Sequence, residues 1–233
     1  FLNRPDHLST TADTVVVIDV LRSFTTAAMA LSRGAKSVYP VEDPVLAMSA
    51  SIHLDKAVTV GAAPGGAPLA SFNFGNSPAA LVNADLQSKN VVICTAAGVR
   101  GLYQFRHARQ LFAASLVCAK ATAEAIRKAN SVNVCFVITG EWDDRDGDED
   151  IACADYIESL LKGESANPDS FARRVRLSDF GTRFASGESP NLPVADLDLA
   201  SLPDLYNFAM LVQFEEQGMV IRPDLTPIKS DHP

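Results

Sequence analysis

Thr14-Val15-Val16-Val17-Ile18-Asp19-Val20-Leu21-Arg22-Ser23-Phe24-Thr25-Thr26 is the stretch whose reading decides the fold. An unbroken run of β-branched residues has the composition of a strand buried on both faces. The strand is expected from near Thr14 to Val20. Phe24, Ala27, Ala28 and Leu31 then recur at helical spacing, and Gly34 follows as a C-cap. A carboxylate, a guanidinium and three hydroxyls therefore fall on one strand-to-helix turn. Such a turn can hold a metal with Asp19 and a phosphate or sulfonate with Arg22 and the first helical N–H groups. A structural Asp–Arg pair with Ser/Thr capping the helix is the alternative. Open α/β sheets bind ligands where their strands end, which is where this cluster sits.

The same alternation runs outward from this stretch. Ser37–Val41, Ala57–Val60, Asn90–Thr95, Leu111–Ser115 and Val132–Thr139 read as strands. Helices are expected over 45–53, from 78, from about 99, over 117–129 and over 149–161. Residues 61–68 carry three Gly and two Pro and read as a loop. From Pro168 the chain reads as mostly helical: an amphipathic helix over 171–184, a loop over 187–203 and a helix over 205–216. Alternating strands and helices predict parallel pairing in a three-layer α/β/α sheet, mostly parallel or mixed. With 233 residues and 47% hydrophobic content, a single domain over 1–233 is expected, or two related halves sharing one sheet.

Composition narrows the function. A formal net charge of −8 argues against nucleic acid as a main partner. No apolar run reaches the roughly 18 residues of a membrane span, and no signal-peptide pattern is seen. The four cysteines, Cys94, Cys118, Cys135 and Cys153, form no CxxC pair, and three lie in apolar segments. A reducing cytoplasm is the expected compartment. His7, His53, His107 and His232 have no zinc spacing.

Three further clusters carry chemistry. Asp143, Asp144, Asp146, Asp148, Glu149 and Asp150 form an acidic run that fails the EF-hand pattern, so most of it is expected to be a solvated loop. Glu149 and Asp150 fall at a helix start, where the dipole favours carboxylates, and Cys153 shares the face of Glu149. Capping plus a buried Cys competes here with a metal carboxylate beside a thiol. Asn76-Ser77-Pro78 is a capped helix start and a second candidate anion site. Thr95 ends a strand before the tight turn Ala96-Ala97-Gly98, and Arg100 follows on the next helix as a substrate contact or a structural Arg. Walker A, G-x-G-x-x-G and G-x-S-x-G fingerprints are all missing.

These pieces, in this order, resemble the 2-phosphosulfolactate phosphatases (ComB-like proteins). The matches are Val17-Ile18-Asp19-Val20-Leu21-Arg22 with Thr25-Thr26; Gly34-Ala35 and Val41-Glu42; Phe74-Gly75-Asn76-Ser77-Pro78; Thr95-Ala96-Ala97-Gly98-Val99-Arg100; and Glu149-Asp150-Ile151-Ala152-Cys153-Ala154. The resemblance implies an α/β/α fold and a Mg2+-dependent phosphatase acting on a small anionic phosphorylated substrate, a phosphorylated sulfonated lactate. It implies that Asp19, Glu149 and Asp150 are metal or acid–base carboxylates. Arg22, Thr25, Thr26, Asn76 and Ser77 would hold the anionic ends of the substrate, with Thr95 and Arg100 as further contacts. Cys153 would be a nucleophile or a packing element. A homodimer stays open.

The chain also departs from the family pattern. Where the family usually carries Gly-Glu-Arg, this chain has Gly61-Ala62-Ala63, and its Thr-Thr-Asn-Gly-Thr-Arg turn is here Thr95-Ala96-Ala97-Gly98-Val99-Arg100. Losing a charged contact typically costs about 2 kcal/mol or more. A non-catalytic homologue that binds an anionic metabolite or serves as a structural partner is therefore the rival expectation. An enzyme for a different phosphate or sulfonate is a third.

Overall fold

The computed structural model describes residues 12–142 and 145–225. His7, Asp143, Asp144 and His232 lie outside them. The chain runs β1 (Thr14–Ile18), α1 (Ser23–Ser32), β2 (Ser37–Val41), α2 (Pro44–His53), β3 (Ala57–Gly61), β4 (Phe74–Gly75) and α3 (Pro78–Leu81). It continues through β5 (Asn90–Cys94), α4 (Ala97–Gln104), β6 (Gln110–Ala114), α5 (Ala119–Lys128), β7 (Val134–Ile138), β8 (Glu141–Trp142) and β9 (Arg145–Asp146). It closes with α6 (Asp148–Lys162), α7 (Pro168–Leu177), α8 (Asp179–Ala185), α9 (Val194–Ala200), β10 (Ala209–Glu215) and β11 (Gly218–Asp224).

Nine strands form one sheet in the order β4-β3-β5-β2-β11-β10-β6-β1-β7. β1 is central to one parallel block: Val15 pairs with Leu111 of β6 on one side and Cys135 of β7 on the other. A second parallel block comprises β4, β3, β5 and β2. Between them stands the β10–β11 hairpin, antiparallel to β6 and to β2. Three antiparallel steps in succession make the two parallel blocks run in opposite directions. The architecture is a mixed, mostly parallel sheet with helices on both faces, a three-layer α/β/α fold, as the alternation predicts.

Side-chain alternation sorts the core into two faces. Val15 and Val17 of β1 join Phe24, Ala27, Leu31 and Leu102 under α1 and α4. Val16 and Ile18 point the other way, into a cluster with Ala123, Ile126, Cys153 and Ile157 of α5 and α6. At the far end of that second face Ala47 of α2 covers Tyr39, Val92, Cys94 and Val220. Among the described residues no helix is long and apolar enough to cross a membrane.

The C-terminal third differs from the sequence expectation. Residues 209–215, expected as part of a helix, form β10, and a two-residue turn leads to β11. Met210 and Val212 feed one core face while Ala209 and Leu211 feed the other. A strand buried on both sides is a continuous apolar run, which periodicity does not separate from a buried helix segment. The expected loop over 187–203 contains α9. The expected helix over 171–184 is two helices broken at Ser178, whose Oγ accepts the Gly181 N–H at 2.9 Å as an N-cap. Part of the expected acidic loop is the short antiparallel pair β8–β9.

Met210 and Ile221 are completely buried where the hairpin bridges the two blocks. Met210→Ala and Ile221→Ala should each lower the unfolding free energy by about 2–5 kcal/mol, seen as a lower denaturant midpoint with an unchanged slope.

Candidate active site

Asp19 emerges from the end of β1 and is buried. Its main-chain N–H still pairs with Ala114 of β6, at 3.2 Å. Its carboxylate then joins two helix starts: Oδ1 accepts the Ser23 N–H of α1 at 2.9 Å and Oδ2 accepts the Gly98 N–H of α4 at 3.1 Å. Free N–H groups and the helix dipole both favour a negative charge there. α4 approaches Asp19 and Val17 this closely because Gly98 and Gly101 face them. A Cβ on Gly98 would lie 2.8 Å from Asp19 Oδ2, and one on Gly101 would lie 2.7 Å from Val17 Cγ1. Burial nevertheless pushes the Asp19 carboxyl above its ordinary value, against the hydrogen bonds from Ser23 and the charge of Arg145.

Asp150 stands in the first turn of α6, and its side chain ties three strand-end residues together. Oδ1 accepts the Val20 N–H at 2.7 Å, and Oδ2 accepts N–H groups of Gly140 at 2.7 Å and Thr139 at 3.2 Å. Thr139 Oγ1 closes the gap between β7 and β1 by donating to Ile18 O at 2.8 Å. Burial raises the Asp150 carboxyl well above its usual range, and the neighbouring charges of Glu149 and Asp19 add to the rise. The three acids, one at the end of β1 and two at the start of α6, thus share one electrostatic site.

Glu149 is the least satisfied of the three. It is 1% exposed, and its Oε2 has no hydrogen-bond partner among the described residues. Burial lifts its pKa from the ordinary 4.5 to about 7, opposed by hydrogen bonding and by Arg145. Arg145 comes from the acidic run that the sequence suggests is solvated, and its guanidinium lies 4.3 Å from the centre of the Phe180 ring. Its charge acts on both Asp19 and Glu149. A cation inside an acidic run is the one sequence signal that could have marked it.

Arg22 is turned toward a residue that sequence reasoning missed. The Leu21–Arg22 peptide is cis. Arg22 Nη1 donates to Asp196 Oδ2 of α9 at 2.8 Å, in an ion pair whose side chains are 5% and 0% exposed. The guanidinium carbon lies 5.3 Å from the centre of the Phe184 ring. Ser77 Oγ donates to Asp196 Oδ1 at 2.6 Å, and the Ala79 N–H does so at 3.0 Å. Arg22 and Ser77 are therefore brought together, through Asp196. No local pattern marked Asp196, which lies in the stretch expected to be a loop.

The remaining candidates divide. Thr25 Oγ1 donates to Val20 O at 2.6 Å and shares a hydrogen bond with Ser115 Oγ at 2.6 Å, which joins the ends of β1 and β6. Thr26 Oγ1, Asn76 Oδ1 and Thr95 Oγ1 are buried without a hydrogen-bond partner among the described residues. Asn76 and Thr95 follow β4 and β5, the two strands that flank β3, so they stand at the same edge of the sheet as Ala62. Arg100 points to the surface, paired with Glu42 at 3.1 Å, rather than to the buried acids. Cys153 is fully buried in the core beneath α6, and that burial holds its thiol well above the ordinary value. A thiol kept protonated is a poor nucleophile, which favours packing as its role. Among the described residues no group of three or more His, Cys, Asp or Glu side chains forms a cage for a metal.

Fold and site together define an α/β/α protein that gathers three buried acids and an oriented arginine beside the ends of its parallel strands. The family model described as 2-phosphosulpholactate phosphatase matches residues 2–182, and the chain belongs to that family. It is 35% identical over 176 residues to a protein of Carboxydothermus hydrogenoformans named "probable 2-phosphosulfolactate phosphatase", covering 75% of this chain and 68% of that one. A Caldicellulosiruptor saccharolyticus protein of the same name is 34% identical over 149 residues, or 63% of this chain and 61% of the relative's length. A Bacillus subtilis protein, also so named, is 28% identical over 210 residues, covering 89% of this chain and 90% of the relative.

Two predictions follow from this geometry. An acid whose pKa is raised by folding stabilises the folded state only while it is protonated. The Glu149 contribution should therefore fall as pH climbs from about 4.5 to about 7. In metal-free buffer, Glu149→Gln should gain stability over the unmutated protein across that window, by on the order of 3 kcal/mol, and level off above it. Gly98→Ala inverts an ordinary rule. Alanine in a helix normally gains about 1 kcal/mol over glycine. Crowded against Asp19 Oδ2 and Phe24 Cζ, it should instead cost about 1–3 kcal/mol in thermal or denaturant unfolding.

Proposed function

We propose that this protein is a magnesium-dependent phosphatase for a small anionic phosphomonoester, with 2-phosphosulfolactate as the first substrate to test. The observation that carries this reading is Glu149: a buried carboxylate with an unpartnered oxygen and a pKa of about 7, beside two more buried acids. Magnesium takes hard oxygen donors and is commonly held by one or two carboxylates completed by water and substrate phosphate. Glu149 Oε2, with Asp150 or Asp19 beside it, has that donor chemistry, and a three-residue cage is not required. When bound, the cation would neutralise charge on the phosphoryl oxygens.

The chain's own groups supply the rest. Arg22, whose hydrogen bond to Asp196 occupies one edge of the guanidinium, has further N–H groups for an oxyanion. The proton that Glu149 holds in the metal-free site, at a pKa of about 7, would be displaced when Oε2 took up the cation. Both Asp19 oxygens already accept helical N–H groups, which favours an anchoring or ligating role over nucleophilic attack. Among the described residues the hydroxyls of Thr26 and Thr95 are buried without a hydrogen-bond partner and have the donors an anionic substrate needs.

A second reading has its own support. Ala62 and Ala63 stand at the end of β3 where the resemblance expects a carboxylate and a cation, and Ala96 and Ala97 replace polar groups at the start of α4. These losses favour a homologue that binds an anion without rapid turnover. The two readings separate on phosphate release from 2-phosphosulfolactate and a phosphomonoester panel, with and without magnesium or a chelator. Metal-stimulated release, reduced about 10²–10⁴-fold by Glu149→Gln, is the expected result. No release, with a ligand at about 100 times its dissociation constant adding about 2.7 kcal/mol of stability, would establish the second reading.

A further inference from the structure

Asp196 does more than neutralise Arg22. It is completely buried, and its two oxygens face different parts of the site: Oδ2 receives Arg22 Nη1 at 2.8 Å, while Oδ1 receives Ser77 Oγ at 2.6 Å and the Ala79 N–H at 3.0 Å. One carboxylate therefore holds the entry to α1 and the first turn of α3 in one frame. Its own helix, α9, is anchored through Leu197 and Ala200 in the core cluster that also holds Phe184, the ring beside the Arg22 guanidinium. On the other side, a Cβ on Gly66 would lie 2.9 Å from Arg22 Nη2. The guanidinium is thus bounded by a carboxylate, an aromatic ring and a close-packed loop. Among the described residues Asp196 is the acceptor it donates to, and the rest of its planar fork remains for another anion.

A buried ion pair is a weak source of net stability, because desolvation offsets the attraction. Its distinct effect is orientational. An arginine side chain loses considerable rotamer freedom when it is held, and a fork already oriented binds an oxyanion without that ordering cost. Asn76, buried on the segment that Asp196 also holds through Ser77, carries the amide N–H donors that suit an anion.

We propose that Asp196 is a positioning residue for the anion site, orienting the Arg22 guanidinium and the Asn76–Ser77 segment toward one bound phosphate or sulfonate. The proposal rests on the phosphatase reading of this site and adds to it a residue outside the 2–182 segment that the family model matches. Asp196 does not itself touch the anion, since both of its oxygens carry negative charge and face protein donors.

The test is calorimetric binding of inorganic phosphate, in excess magnesium chloride, to the unmutated protein and to Asp196→Asn, Ser77→Ala, Arg22→Lys and the Asp196→Asn/Arg22→Lys double variant. Asp196→Asn should weaken phosphate binding about 10–100-fold, the equivalent of one charge-assisted contact. Ser77→Ala keeps the ion pair and removes one leg, and should weaken binding by a smaller factor. It also keeps the proposal testable if Asp196→Asn does not fold. The double variant should lose less than the product of the two single losses, because both changes act on one guanidinium, and fully multiplicative losses would overturn the coupling through Arg22. Where turnover is measured, the loss should fall on KM more than on kcat. A purely structural Asp196 would lower the melting temperature of Asp196→Asn and leave its phosphate affinity unchanged, which would overturn the proposal. Tighter binding by Asp196→Asn would also overturn it, by making Asp196 a competitor for the guanidinium. No phosphate binding by the unmutated protein would overturn this inference, while the phosphatase reading would stand or fall on the phosphate-release assay.

Discussion

Three carboxyl groups buried around the end of β1 impose the constraint on which the site depends. An isolated buried carboxylate is costly, and it becomes tolerable when donors surround it or a proton or cation neutralises it. Here the donors are backbone N–H groups. Asp19 takes those of Ser23 and Gly98, and Asp150 takes those of Val20, Thr139 and Gly140. These bonds lock the ends of β1 and β7 to the starts of α1, α4 and α6. Glycine at 98 and 140 is part of the same arrangement. A Cβ at 140 would lie 2.6 Å from Glu149 Oε1, as one at 98 would crowd Asp19. Satisfying the acids and packing the helices are one geometric problem.

Glu149 is backed by fewer donors, its own N–H and the Ser178 side chain, and the contrast has chemical meaning. Its Oε2 is buried and unpartnered, and its pKa of about 7 places its titration within reach of ordinary working pH. Structure and reactivity divide accordingly between neighbouring residues: Asp150 holds the strand ends, while Glu149 is left with capacity to spare. Strongly shifted acids mark functional sites often enough for this division to guide where activity is sought.

Much of the fold was legible because its signals are local. The run from Thr14 to Ile18, the start of the helix expected over 45–53 and the Asn76-Ser77-Pro78 start each act within a few residues. Asp43 Oδ1 does accept the N–H groups of Val45 and Leu46, and Ser77 Oγ accepts that of Ala80 at 3.2 Å. The C-terminal hairpin was misread for the opposite reason. Residues 209–212 are apolar on both sides because two core faces claim them, and that short run carries no period to distinguish strand from helix. At the candidate site, Asp19, Glu149 and Asp150 could be picked out as acids at a strand end and a helix start. Arg100 could not be placed, because whether a helical arginine faces the acids or Glu42 is a matter of how α4 lies on the sheet.

By itself the sequence determined the alternation of strands and helices, the buried β1, the helix caps and the position of carboxylates beside the strand ends. Each follows from side-chain size, polarity and backbone preference over a few residues. Tertiary structure alone decided that a C-terminal hairpin would join two oppositely directed parallel blocks, that Arg145 would act on the acids from within an acidic run, and that Arg22 would meet Asp196, 174 residues away. A carboxylate at that distance has no local signature. Its partner is chosen by where α9 and β10 dock, which is set by the apolar surface that both bury.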